Sequence, residues 1–90
     1  MDKKEKYVLM AKIVRELEDL KNSQTSVMKK VGQLETENIN LVNKILSSAL
    51  PDIYEHISEN LERVEALSSS FSAATEKFGS ENGLSEEDAT

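Results

Sequence analysis

Ninety residues with a formal charge of −6, 38% hydrophobic and only 4% aromatic content, three glycines and one proline make at most one domain with a lean core of its own. This composition fits an all-α chain built from long helices better than a sandwich or a disordered chain. Without cysteine there is no disulfide framework and no thiolate zinc site, which suits a reducing compartment and makes the cytoplasm or nucleus the default location.

The first six residues, MDKKEK, read as a flexible charged start. Lys12 and then Arg15-Glu16 interrupt the apolar residues that follow, so no signal peptide is expected. Nor does any stretch approach the roughly 18 consecutive apolar residues of a membrane span.

Residues 7–49 carry the clearest pattern. Alternate steps of three and four from Met10 pass through Ile13, Leu17, Leu20, Gln24, Val27, Val31, Leu34, Asn38, Leu41, Ile45 and Ser48, of which only Gln24, Asn38 and Ser48 are polar. A 3.5-residue period held over five heptads marks a left-handed coiled coil, with Met10, Leu17, Gln24, Val31, Asn38 and Ile45 at a and the others at d. Its predicted interface is Met10, Ile13, Leu17, Leu20, Val27, Val31, Leu34, Asn38, Leu41 and Ile45. In a parallel pair, Glu16 would meet Lys21 and Lys30 would meet Glu35, both opposite in sign. Asn38 at a would bond its mate across the axis and act as a register pin, or else lie partly wet near the rim of a looser bundle. Val14, Met28 and Val42, at e, widen the stripe beyond a two-stranded seam. A wider stripe calls for a three- or four-helix bundle, completed by unlike subunits or by the second half of this chain.

Near SSALPDIYE the seam changes face. The next apolar residues, Leu50, Ile53, Ile57, Leu61, Val64, Leu67, Phe71 and Phe78, are displaced by two residues from the first heptad frame, and Pro51 sits at the shift. Proline favours a helix's first turn over its interior, and Asp52 and Glu55 complement a helix N-terminus, so a break is predicted at Pro51 with a second amphipathic helix over 51–78. Its predicted interface is Ile53, Ile57, Leu61, Val64, Leu67 and Phe71. Gly79 is the expected terminator, and the acidic GSENGLSEEDAT, 79–90, reads as a disordered tail.

His56, the sole histidine, has Asp52 and Glu59 at helical spacing, an arrangement helices carry often by chance. No catalytic, cofactor or metal residues are assigned, because no phosphate loop or nucleophile motif accompanies it. Cations number nine against seven carboxylates through residue 45, and two against ten thereafter. That acidic second half argues against nucleic acid as the main ligand. It also disfavours a peripheral membrane role for the amphipathic N-terminus.

From LEDL (Leu17 to Leu20) to TENINLVNKI (Thr36 to Ile45) the chain resembles the short coiled-coil protein family of Golgi-associated partners of Arf-like GTPases, over about thirty residues. It departs from that family where an earlier Glu-Asn is expected and Lys30-Val31 stands, and in its added second helix. VLMAKIVRELEDLKN is similar to an opening helix in the small helical subunits of the fungal DASH ring, which couples kinetochores to microtubules. The residues and the resemblances together predict a non-enzymatic module that binds protein partners by helix packing. The expected role is a small subunit of a hetero-oligomeric assembly in trafficking, tethering or cytoskeletal attachment. The alternative is a homodimeric parallel adaptor for a small GTPase, which the first resemblance would place at the Golgi.

Overall fold

The computed structural model, which describes residues 1–89, is an all-α hairpin of two long antiparallel helices. Helix α1 spans Lys3–Leu41 and α2 spans Lys44–Glu81. Together they make a rod of 59 × 19 × 18 Å. The long first helix therefore covers part of its stripe with the chain's own second half.

Helix α1 starts earlier than the predicted flexible 1–6 segment allows. The Asp2 carboxylate accepts from the Glu5 N–H at 2.8 Å and caps the first turn. That bond holds its carboxyl below the ordinary value. Lys6 is also engaged, with its ammonium 4.8 Å from the centre of the Phe78 ring.

The reversal lies at Val42–Asn43, eight residues before the predicted break, and α2 runs through Pro51 without ending. Proline's missing N–H removes one helical bond, but the turn is specified elsewhere by two asparagines. The Asn38 side-chain oxygen accepts from the Asn43 N–H at 2.9 Å, and its Nδ2 donates to Ser47 Oγ at 2.8 Å. Asn43 caps α2, accepting from the N–H groups of Ile45 and Leu46 at 2.9 and 3.2 Å. Val42 closes α1 in the left-handed region (φ 50°, ψ 48°), and its N–H donates to the Asn38 carbonyl at 2.7 Å.

A β-branched residue is a poor choice for that conformation, which costs L-residues about 1–2 kcal/mol. Val42→Gly is therefore expected to stabilise the hairpin by about 0.5–1 kcal/mol, after glycine's own entropic cost is deducted. A urea midpoint unchanged or lowered by this substitution would contradict the strain.

Helix α2 also passes the expected terminator. Gly79 lies inside it, buried against Tyr7, and the helix ends in a Schellman motif with Gly83 (φ +65°) at the left-handed position. Leu84 N–H donates to the Gly79 carbonyl at 2.8 Å. The predicted disordered tail instead includes the end of α2 and a 3-10 turn, Glu86–Ala89, packed on α1. Thr90, its last residue, lies outside the described residues.

The shared core is thin. Among the described residues the buried apolar ones are Tyr7, Val31, Leu50 and Val64, and no large side chain is completely enclosed.

Candidate interaction surface

The predicted seam is divided between two faces. Rows a and e of α1 turn toward α2: Tyr7, Val31 and Asn38 are buried, and Met10, Val14, Leu17, Gln24 and Met28 are half-buried. Helix α2 answers with Leu50, Val64 and Thr75 buried and with Ile57, Leu61, Phe71 and Phe78 half-buried. Asn38 lies in this intrachain seam, where its amide is spent on the turn.

Row d is left outside. Leu20, Val27, Leu34 and Leu41 are 40% to 67% exposed, and only Ile13 at the open end is half-buried. On α2, Ile53 and Leu67 are 44% and 53% exposed, in contrast to the other four predicted interface residues. Ile45, at the tip, is 77% exposed. Sequence periodicity thus finds the apolar residues but cannot say that α2 covers rows a and e and leaves d bare.

These bare residues form one surface. Both helices are right-handed and run in opposite directions, so rows at the same heptad offset from the seam emerge on the same side of the hairpin. Leu46, Ile53, Asn60, Leu67 and Ala74 hold the d offset relative to Leu50, Ile57, Val64 and Phe71, and therefore lie beside row d of α1. The opposite side holds a polar cleft of about 330 Å³ lined by Glu18, Lys21, Glu65 and three serines, and toward the open end a cleft of about 360 Å³ lined in part by Tyr7, Ala11, Val14 and Ala89; its one large exposed apolar side chain on the same row of α1 as Glu18 is Ile39. Lys21 pairs there with Glu18 of its own helix, at 3.2 Å.

Cross-hairpin contacts fix the heights. A methyl group on Gly32 would lie 3.9 Å from the Tyr54 ring, and Gly79 packs on Tyr7. That offset sets Leu20 level with Leu67, Val27 with Asn60, Leu34 with Ile53 and Leu41 with Leu46. The surface is a ladder of apolar layers interrupted once, at Asn60.

Its size matches its exposure. A folded monomer of 10.1 kDa is expected to present about 5,300 Å² of accessible surface, whereas this chain presents 6584 Å². An elongated shape contributes much of the surplus, and the exposed ladder lies along its length.

His56 stands apart from any constellation. Its Nδ1 lies 2.9 Å from the Asp52 carbonyl and 3.6 Å from the Asp52 carboxylate, on an exposed face. Among the described residues no group of three or more histidines and carboxylates is placed to hold a metal ion, and no helix is long and apolar enough to cross a membrane. No family model, curated protein or solved structure matches the chain.

Proposed function

We propose that this chain is a non-enzymatic helix-packing module, a small helical subunit of a larger assembly in tethering, trafficking or cytoskeletal attachment. The observation that carries the reading is the row of Leu20, Val27, Leu34 and Leu41 left exposed beside a thin core. Isolated surface leucines are ordinary, but a contiguous apolar ladder along a rod is the kind of patch that binds protein. The two family resemblances point to the same class of work, and attachment to the Golgi would come through a partner.

A parallel homodimer along the original a/d seam competes less well. Row a would have to leave α2, and Asn38 would have to give up its bonds to Asn43 and Ser47.

The test is the native size of the full chain in extracts of its own cells. A species well above twice the chain's mass is expected, and Leu20→Glu with Leu34→Glu should shift it to the free chain. Because both positions are already exposed, circular dichroism of the purified variant should retain its helix. Wild type and variant migrating alike at the mass of one chain would overturn the reading, whereas a species of only twice that mass would remove the larger assembly and leave self-association.

A further inference from the structure

We infer that the occupant of the exposed ladder is a second copy of this chain, related by a two-fold axis parallel to the rod, so that two hairpins close a four-helix bundle. This rests on the preceding reading of the ladder as an interface, and it names the partner.

The layers argue for it. A two-fold along the rod preserves height, so Leu20 of one copy meets Leu67 of the other, Leu34 meets Ile53, and Leu41 meets Leu46, with every neighbouring pair of helices antiparallel. Each layer then holds two side chains from each copy, as bundle cores do. A two-fold across the rod reverses height. It would set the apolar tip, Leu41 and Leu46, against the charged far end around Lys6 and Glu81. Only the parallel axis sets each apolar layer from Leu20 and Leu67 to Leu41 and Leu46 on its own counterpart, and the charged end on the charged end.

Charge permits the pairing. Two chains of −6 should repel, but the rows next to the ladder carry Glu16, Lys30 and Glu37 on α1 and Arg63 and Lys77 on α2, three fixed cations against two carboxylates. Both cations of the acidic segment after residue 45 thus fall on the one row that borders the ladder. Of its helical carboxylates, Glu81 ends the ladder row level with Lys6, and Asp52, Glu55, Glu59, Glu62, Glu65 and Glu76 lie on other rows.

The area suffices. The layers from Leu20 to Leu41 span about 32 Å, so at a width of 19 Å the ladder offers about 600 Å² per copy and about 1,200 Å² in all, the lower end of specific interfaces, and contact along the full 59 Å would raise it further. Asn60 is the polar member of this ladder, and the axis brings both copies' Asn60 into one layer. There a mutual amide bond would hold the register, the role periodicity had suggested for Asn38.

The experiment uses the purified full chain, which has no native cysteine. Light scattering over a concentration series should give twice the 10.1 kDa chain mass, falling toward one on dilution. Leu20→Glu should remove at least tenfold of the dimer affinity while keeping the helical spectrum. Oxidising a mixture of Leu20→Cys and Leu67→Cys chains should give the mixed disulfide faster than either self-disulfide. A wild-type chain monomeric at every concentration overturns the second copy. So does a dimer that Leu20→Glu leaves intact, and faster self-linking of Leu20→Cys overturns the parallel axis. A purified monomer from a chain that runs large in extracts would remove the second copy alone, while a chain monomeric in both would remove the interface itself.

Discussion

Asn38→Leu is expected to lower the stability of the hairpin by about 1–2 kcal/mol, and Asn38→Ala by about 2–3 kcal/mol, because the amide braces both sides of the turn. Its oxygen accepts from the Asn43 N–H and its nitrogen donates to Ser47 Oγ, bonds of 2.9 and 2.8 Å from a side chain only 8% exposed. Each such bond contributes about 1 kcal/mol, and losing them unlocks the residue that caps α2. Leucine recovers part of this through burial, which alanine cannot, but it must fit a bulkier branched side chain where a flat amide sat. The sign is decisive. At an a position of a parallel coil the same leucine would raise the melting temperature, since a buried asparagine there costs stability. Thermal and urea melts followed by circular dichroism check it, and a leucine variant that melts higher than wild type would return Asn38 to an intermolecular seam.

The amphipathic pattern made the helices legible because burial demands it. Met10, Leu17 and Val31 are in a seam, as are Ile57, Leu61, Val64 and Phe71, and the widening at Val14 and Met28 marks the row that α2 covers. The partition of the stripe was not legible. A stripe spanning a, d and e fits two neighbours without saying which neighbour takes which edge, so Leu20 and Leu67 read as equivalent to Leu17 and Val64. The turn was misplaced for a different reason. Pro51 is a strong local breaker, but one missing N–H weighs less than a capping network assembled from Asn38, Asn43 and Ser47, which are far enough apart in sequence to form no familiar turn motif. At the other end, NGL within an acidic, Gly/Ser-rich segment suggested disorder. Gly83 followed by Leu84 is also the signature of a Schellman cap, and that local geometry prevailed over composition.

Gly79→Ala sets helix propensity against packing, and packing is expected to win by about 1–3 kcal/mol. Inside a helix alanine is favoured over glycine by about 1 kcal/mol, so an open site would gain stability. Here the added methyl would lie 2.6 Å from Tyr7 Cε1, 3.2 Å from Tyr7 Cζ and 3.0 Å from the Leu84 carbonyl oxygen. Neither neighbour yields cheaply. Tyr7 is only 6% exposed, and moving its ring outward gives up one of four buried apolar side chains. Shifting Leu84 strains the 2.8 Å bond from its N–H to the Gly79 carbonyl, which ends α2 and leads the chain toward α1. Gly32→Ala provides the internal control. The nearest atom to its methyl is Tyr54 Cε2 at 3.9 Å, an ordinary contact, so that substitution should stabilise by up to about 1 kcal/mol. Opposite shifts in the urea midpoint are the expected result. If both variants gained stability, the close approach of Tyr7 to α2 would be wrong, and the register of the hairpin, which sets Leu20 level with Leu67, would have to be moved.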